Sequence, residues 1–244
     1  MKSILITGAN RGLGLGFLKA LLQHPNQPEH IFATYRDPAK SQELLSLEKQ
    51  YKHLHTYKID VTDFEAYQAF YEEVAKILDG IGLNLLYNNA GVGYFNNLRN
   101  TTSEDLNKTY KINFMAPILL TQTFYPLLKL AAEKNSTLQG IHRAAVINIS
   151  SEEASIKDSY GGNYSYRCSK AALNAATKSM SIDFQSDKII AISLHPGWVR
   201  TDMGGSCAPL SVQESSRKVL KTILSFSDKD NGRYLQYDGT DLNW

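Results

Sequence analysis

Short apolar runs alternate with longer amphipathic segments along the chain. The apolar runs, bounded by turn residues, predict short buried strands; they lie at 3–7, 31–35, 54–59, 83–87, 144–149, 189–194 and 233–237. The segments between them predict helices at 13–22, 38–51, 63–78, 103–134, 164–184 and 215–224. Strands that alternate with helices favour a parallel sheet with helices on both faces, joined by right-handed crossovers. The pattern therefore predicts an α/β fold built as a single domain.

Local residue types indicate where helices begin and which segment is expected to be mobile. Pro38 suits a first helical turn, because its ring fixes the backbone angle φ near the helical value. Asp63 and Ser103 are predicted N-caps, since their side-chain oxygens can accept hydrogen bonds from the free N–H groups of a first turn. The segment 201–213 is rich in glycine and small residues, which is typical of a mobile substrate lid.

A glycine-rich turn follows the first predicted strand. Gly8, Gly12 and Gly14 have the spacing G-x-x-x-G-x-G, which differs from the G-x-G-x-x-G of the usual dinucleotide fingerprint. A strand that ends in such a turn and restarts as a helix points unpaired N–H groups at whatever lies above it. Together with the helix dipole, these groups favour an anion, usually a phosphate. The alternative is a glycine-rich connection that binds no ligand.

Residues suited to binding or catalysis follow the carboxyl ends of the predicted strands. In open parallel sheets, ligands bind beyond these ends, near the point where the strand order reverses. The residues at these positions are Gly8, Arg36, Asp60, Asn89, Ser151 and Pro196-Gly197. Their shared position predicts one binding site at this edge of the sheet.

Tyr166 and Lys170 form the pair best suited to acid–base chemistry. At helical spacing their side chains lie on one face, one turn apart. A nearby cation favours the phenolate, and this brings a tyrosine towards the pKa at which it can exchange a proton with a substrate. Tyr125 and Lys129 have the same spacing, so the spacing alone is weak evidence. Tyr166 is distinguished by following the strand that ends at Ser151, whereas Pro126 suggests a packing role for the other pair.

Composition narrows the possible partners. A net charge of +2 at pH 7 gives no reason to expect nucleic acid or an anionic membrane as a partner. The chain has two cysteines, Cys168 and Cys207, which are too few for a disulfide framework, so we expect a reduced, cytoplasmic protein. No apolar stretch is long enough for a membrane-spanning helix. No His, Asp or Glu cluster has the spacing of metal ligands, and we expect no metal.

Taken together, the motifs resemble those of the short-chain dehydrogenase/reductase family across essentially the whole chain. The matching set is Thr7-Gly-Ala-Asn-Arg-Gly-Leu-Gly14, Asn88-Asn-Ala-Gly91, Asn113, Ser151, Tyr166-x-x-x-Lys170 and Pro196-Gly197, in the family's order. Finer features, at 11–16 and 195–205, are similar to the sniffer-type carbonyl reductases. The resemblance implies a doubly wound Rossmann fold with a seven-stranded parallel sheet, and NAD(P)-linked carbonyl reduction.

The resemblance also implies roles for four catalytic residues. Tyr166 would donate a proton to the carbonyl oxygen, and Lys170 would lower its pKa and bind the nicotinamide ribose. Ser151 would hydrogen-bond the substrate oxygen and steady its developing charge. Asn113 would hold a water that links Lys170 to solvent. The spacing from Ser151 to Tyr166 is longer than in many members, which leaves Ser150 as a rival for the serine role.

Two arginines favour NADPH over NADH as the cofactor. Arg11 lies in the glycine turn and Arg36 ends the second strand, where they can grip a 2′-phosphate. Asp37 is the opposing signal, because NAD-binding sheets place an acid near this position. Asn89 has an alternative role in tying strands together, and His195 is expected to be structural. The residues implied to contact the cofactor are Gly8, Asn10, Arg11, Gly12, Leu13, Gly14, Arg36, Asp60, Val61, Asn89, Ala90, Gly91, Tyr166, Lys170, Pro196, Gly197, Val199 and Thr201.

The predicted function is NADPH-dependent reduction of an aldehyde, ketone or quinone. Candidate pocket walls are Tyr94, Phe95, Tyr160, Trp198 and Met203, which suit a hydrophobic or aromatic carbonyl substrate. One alternative is an NAD-dependent alcohol dehydrogenase acting on a steroid or retinoid, and another is a regulator that senses NADPH without turnover. We expect a homodimer, because the family commonly pairs its long central helices.

Overall fold

The computed structural model describes all 244 residues, and one parallel sheet runs through its centre. The strands are β1 (Ser3–Ile6), β2 (His30–Tyr35), β3 (Leu54–Lys58), β4 (Leu85–Asn88), β5 (Ala145–Ile149), β6 (Ile190–His195) and β7 (Tyr234–Gln236). Their order across the sheet is β3-β2-β1-β4-β5-β6-β7, and every neighbouring pair is parallel. The predicted doubly wound Rossmann fold with seven strands is confirmed.

Helices cover both faces of the sheet. They are α1 (Gly12–Leu22), α2 (Gln42–Gln50), α3 (Tyr67–Leu78), α4 (Ser103–Tyr110), α5 (Ala116–Lys134), α6 (Tyr164–Asp183) and α7 (Val212–Leu224). Because successive side chains of a strand point to opposite faces, Ile4 and Ile6 pack in a core with α1 and α7, whereas Leu5 packs in a core with α3 and α5. None of these helices is long and apolar enough to cross a lipid bilayer.

The predicted helix at 38–51 is in fact divided. Pro38 opens a short 3-10 turn, Pro38–Lys40, and the α-helix begins only at Gln42. The Asp37 carboxylate accepts a hydrogen bond from the Ala39 N–H at 3.0 Å, and the Ser41 hydroxyl donates to the Asp37 carbonyl at 2.6 Å. These bonds close a tight turn, so the regular helix starts after it.

The predicted long helix at 103–134 is interrupted at its centre. A wider π-helical turn, Lys111–Met115, separates α4 from α5. Pro117 lacks the N–H that an uninterrupted α-helix would donate to the carbonyl of Asn113, so the α-helical bonding cannot run through this point. Pro126 remains inside α5.

Several element boundaries also differ from the predicted ones. Thr102, not Ser103, caps α4, because its side chain accepts from the Asp105 N–H. Asp63 makes no side-chain cap and precedes a 3-10 turn, Phe64–Ala66, before α3 begins. The last helix begins at Val212, where Ser211 and Glu214 form a reciprocal capping box.

The fourth strand starts two residues later than predicted, at Leu85. The Asn84 side chain accepts from the backbone N–H groups of Lys2 and Ser3, at 2.9 and 3.1 Å. A side chain therefore replaces the first backbone pairing between these strands.

The cap assignment can be tested by two adjacent substitutions. We expect Thr102→Ala to lower the free energy of unfolding by about 1 kcal/mol, because it removes the acceptor for the Asp105 N–H. Ser103→Ala is the matched control and should change it by less than about 0.5 kcal/mol. Urea denaturation of both variants measures this, and a larger loss in Ser103→Ala would contradict the assignment.

Candidate active site

A cleft of about 850 Å³ opens at the carboxyl ends of the strands, where the order reverses between β1 and β4. It brings most of the predicted cofactor contacts together. Those on its wall are Gly8, Asn10, Arg11, Gly12, Leu13, Gly14, Arg36, Asp60, Val61, Asn89, Ala90, Gly91, Tyr166, Lys170, Pro196 and Thr201. Gly197, Val199, Ser151 and Asn113 are not on this wall. Lys40 and Arg200 also line the cleft, although they were not among the predicted site residues.

The glycine turn brings the backbone very close to the floor of the cleft. A Cβ atom on Gly14 would lie 2.2 Å from the Gly8 carbonyl oxygen, and one on Gly8 would lie 3.0 Å from the Ala90 Cα. Gly8 also has a φ of +65°, which side chains disfavour. Arg11, at the N-cap of α1, makes no side-chain cap. The first N–H groups of the helix are thus left for an anion in the cleft.

Asn89 holds the two strands that border the cleft. Its Nδ2 donates to the carbonyls of Thr7 and Gly8, at 2.9 and 3.1 Å. The Thr7 hydroxyl in turn accepts from the N–H groups of Asn89 and Ala90, both at 3.0 Å. Asn89 therefore ties β1 to β4, which was the alternative role considered for it, and also lines the cleft.

Positive charge surrounds one end of the cleft. Arg11, Arg36 and Lys40 all line it there. The Asp37 carboxylate is engaged in the turn with Ala39, and Asp202 pairs with Arg11 from the opposite side of the cleft. Arg36 and Lys40 make no salt bridge and are thus available to a ligand in this region, whereas Arg11 would have to leave Asp202 to bind one.

Asp60 lies on the same wall as a charged carboxylate. Burial acts to raise its pKa, but hydrogen bonds from the Thr62 N–H and hydroxyl, with the positive charge of Arg36, hold the pKa below its usual value. Asp60 is therefore ionised at neutral pH.

Tyr166 and Lys170 meet at the inner end of the cleft. The Lys170 Nζ lies 5.9 Å from the centre of the Tyr166 ring and donates to the Ile149 carbonyl at 2.5 Å. Lys170 is 4% exposed, and burial lowers its pKa to about 8. Burial raises the pKa of Tyr166 to about 12, with a hydrogen bond to Ser151 acting against it. The pKa of Tyr166 is thus raised in this structure, whereas the neighbouring lysine was predicted to lower it.

The two candidate serines face different partners. The buried Ser150 hydroxyl donates to the Asn174 Oδ1 at 2.7 Å. The Ser151 hydroxyl accepts from the Glu153 N–H at 3.2 Å and reaches the Tyr166 hydroxyl. Ser151 is therefore the serine that adjoins Tyr166.

Asn113 lies in the π-helical turn and connects it to two neighbours. Its Nδ2 donates to the Val92 carbonyl at 2.8 Å and to the Ser169 hydroxyl at 3.1 Å, while its Oδ1 accepts from the Val92 N–H at 2.9 Å. These bonds join the segment after β4 to α6. The role of Asn113 in holding a water stays a prediction.

One of the predicted pocket walls, Phe95, contacts a reacting group directly. The Phe95 ring packs edge-on against Tyr166, with ring centres 5.5 Å apart, and Met203 lines the cleft. Tyr160 stacks on the Arg167 guanidinium at 4.4 Å, and the Trp198 Nε1 donates to the Gly204 carbonyl at 2.8 Å.

The predicted lid at 201–213 is pinned at its base. Val199 and Leu210 form an isolated parallel β-bridge, and residues 212 and 213 belong to α7. The mobility of the part between them stays a prediction.

The comparisons with known proteins agree with this architecture. Residues 2–209 match the family model described as short chain dehydrogenase. The chain therefore belongs to the short-chain dehydrogenase family, and the resemblance given above is confirmed.

Within the family, the chain is similar to several carbonyl reductases of known structure. The carbonyl reductase Sniffer of D. melanogaster is 46% identical with a TM-score of 0.98, and the match covers 100% of both chains. The NADPH-bound carbonyl reductase from chicken fatty liver is 43% identical with a TM-score of 0.95, over 100% of this chain and 99% of that one. An uncharacterized oxidoreductase of Schizosaccharomyces pombe is 31% identical, over 99% of this chain and 97% of its own length.

His195 provides a test of burial in the site region. It is 5% exposed, its Nδ1 has no hydrogen-bond partner, and burial lowers its pKa to about 4. In the unfolded chain this histidine is protonated below about pH 6.5, whereas in the folded protein it is protonated only below about pH 4. Between these pH values protonation favours the unfolded chain, so the residue lowers the stability of the fold as the pH falls. We therefore expect the free energy of unfolding to fall between pH 7 and pH 4 by about 3 kcal/mol less in His195→Gln than in the wild type.

Urea denaturation of the wild type and the variant at several pH values measures this difference. His24→Gln is the control, because His24 is only partly buried. If the free energy of unfolding of His195→Gln changed with pH as it does in the wild type, protonation of His195 would cost the fold no stability.

Proposed function

We propose that the protein is an NADPH-dependent carbonyl reductase, with Tyr166 as the proton donor to an aldehyde, ketone or quinone. The observation that carries the proposal is the meeting of Tyr166 and Lys170 at the inner end of a cleft whose other end is cationic, with Ser151 beside the Tyr166 hydroxyl. NADPH bound along this cleft supplies the hydride. The similarity to carbonyl reductases, one of them NADPH-bound, supports the same conclusion.

The chain's own residues fit the cofactor. The glycine turn leaves room for a pyrophosphate against the first turn of α1, where free N–H groups point into the cleft. Arg11, Arg36 and Lys40 suit a 2′-phosphate, because guanidinium groups bind phosphate with paired hydrogen bonds.

The remaining predicted contacts extend this assignment. Asp60 and Val61 would flank the adenine, Ala90 and Gly91 would pass beneath the cofactor, and the segment that contains Pro196, Gly197, Val199 and Thr201 would meet the nicotinamide amide. We assign these contacts by the family resemblance and by the position of most of them on the cleft wall.

The raised pKa of Tyr166 suits a reductase. A tyrosine with a pKa of about 12 keeps its proton at neutral pH, and a proton is what a carbonyl oxygen needs when a hydride reaches its carbon. Ser151 holds the substrate oxygen beside the phenol and stabilises its developing charge. The Lys170 ammonium, 5.9 Å from the ring centre, favours the phenolate that remains after transfer.

Exposed apolar side chains indicate the substrate class. Phe95, Tyr160 and Trp198 are more than half exposed, at 52%, 71% and 52%, and Met203 is 39% exposed. Met203 lines the cleft and Phe95 packs against Tyr166, and large apolar side chains left exposed beside a site favour an apolar ligand. We therefore propose a hydrophobic or aromatic carbonyl compound as the substrate.

A homodimer, a cytoplasmic location and a single-domain enzyme stay predictions of the sequence.

The NAD-linked alcohol dehydrogenase has one residue in its favour. Asp37 follows β2, close to where an acid binds the ribose of NAD. Its carboxylate already caps the 38–40 turn, however, and Arg36 and Arg11 line the cleft beside it. The balance of charge therefore favours NADPH.

The proton donor can be tested with a matched tyrosine. We expect Tyr166→Phe to lower kcat at least about 100-fold, because the phenolic proton is lost. NADPH binding, followed by fluorescence, should remain. Tyr125→Phe is the control, since Tyr125 has the same spacing to a lysine but pairs with Asp187. Full carbonyl-dependent NADPH oxidation by Tyr166→Phe would disprove the assignment.

Cofactor choice can be tested at Arg36. A hydrogen bond between charged groups contributes about 1.5–3 kcal/mol, so Arg36→Ala should lower kcat/KM for NADPH by about 10- to 100-fold and leave that for NADH nearly unchanged. Arg99→Ala, on an exposed turn, is the control. Equal losses with both cofactors, or a wild-type enzyme that uses NADH as efficiently as NADPH, would contradict the proposal.

A further inference from the structure

The loop between Ser151 and Tyr166 is exposed at its tip but held at its base by one carboxylate. Residues 156–161 are exposed, whereas the Glu153 side chain is only 14% exposed. The Asn163 Nδ2 donates to both Glu153 carboxylate oxygens, at 3.2 and 3.0 Å. The two ends of the loop are thus joined by side chains.

Arg167 completes this contact from the helix. Its Nη1 donates to the Glu153 backbone carbonyl at 2.9 Å, and its Nη2 lies 3.7 Å from the Glu153 carboxylate. The guanidinium also stacks on the Tyr160 ring and is 11% exposed. Glu153, Asn163 and Arg167, which we name the loop clamp, therefore form a largely buried charged group. A buried pair of this kind costs much to break, because one charge is then left uncompensated.

The loop clamp is adjacent in sequence to both reacting hydroxyls. The Glu153 N–H donates to the Ser151 hydroxyl at 3.2 Å, so the position of Glu153 bears directly on that oxygen. Asn163 immediately precedes α6, with a φ of +51°, and its N–H donates to the Asn96 carbonyl at 2.8 Å. Tyr166 lies in the first turn of that helix, next to Arg167.

We propose that Glu153 is a positioning residue, which holds Ser151 and Tyr166 in register across the exposed loop through its contacts with Asn163 and Arg167. This inference rests on the proposed function, since it concerns the two hydroxyls that act on the substrate. A displacement of about 1 Å in such a pair can cost about 100-fold in rate. A loop free to move at its base would allow a displacement of that size.

The charge of Glu153 has a second, separable effect. Burial is the main cause of the raised pKa of Tyr166, and the negative charges of Glu153 and Glu152 add to it. Removing either charge should lower the pKa of Tyr166. The other titratable or charged groups near this tyrosine are Lys170 and Arg167 on its own helix, Tyr160 on the loop, Tyr234 in β7 and His195 in β6.

Glu152 gives a matched control for Glu153. It carries the same charge beside the same tyrosine, but it is 60% exposed, and the only ionisable side chain in ion-pair range is His195 at 3.9 Å, whose pKa of about 4 leaves it neutral at neutral pH. Both Glu152→Gln and Glu153→Gln should therefore move the alkaline fall of kcat/KM to lower pH. Only substitutions at Glu153 should also lower kcat at the pH optimum.

The experiment compares kcat, the NADPH dissociation constant and the pH profile in four variants of the full chain. We expect Glu153→Ala to lower kcat about tenfold or more while NADPH binding stays within about twofold. Glu153→Gln should retain part of that rate, because its amide oxygen can still accept from Asn163. Glu152→Gln should keep the wild-type kcat. Asn163→Gly removes the same contacts from the other side at a φ that glycine adopts freely, and it serves if Glu153→Ala does not fold.

Two results would overturn the inference while leaving the proposed function intact. One is a wild-type kcat in Glu153→Ala or Asn163→Gly together with an inactive Tyr166→Phe. The other is an equal loss of kcat in Glu152→Gln and Glu153→Gln, which would assign the effect to charge alone. An active Tyr166→Phe would instead remove the proposed function itself.

Discussion

The close approach of the turn after β1 to the end of β4 is the constraint on which the site depends. Gly14 lies so near the Gly8 carbonyl and the Asn89 side chain that no other residue fits without displacing the backbone. Asn89 and Thr7 then bond the two segments together. The cleft opens above this junction, and the residues that we assign to the cofactor are placed relative to it.

Much of the fold follows from the sequence because the signals are local and repeated. Seven apolar runs separated by amphipathic segments are sufficient to predict a parallel sheet. The helix boundaries were predicted less accurately, because more than one residue at each boundary could serve as the cap. Thr102 and Ser103 are equally plausible caps in the sequence, and only the bond to Asp105 distinguishes them. Pro117 and Pro126 both lie in the predicted helix, and only the structure shows that the interruption falls next to Pro117 while Pro126 stays inside α5.

The features of the site likewise divide into those that the sequence predicts and those that only the structure shows. The motif residues were found because the family fixes their order, and most of them line one cleft. Burial was not predictable from spacing, and it reverses the expected direction of the Tyr166 pKa. Glu153 was missed for a related reason. Nothing in the sequence shows that a carboxylate two residues after Ser151 bonds to Asn163 and Arg167 across a loop.

The edge strand β7 also takes part in the site. The Tyr234 hydroxyl, on a residue that is 1% exposed, donates a hydrogen bond to the backbone carbonyl of Ser151. The family match ends at residue 209, well before this tyrosine. The residues that define membership of the family are therefore fewer than those that shape the reaction centre. A substitution in β7 can therefore alter the reaction centre without changing any residue that the family model matches.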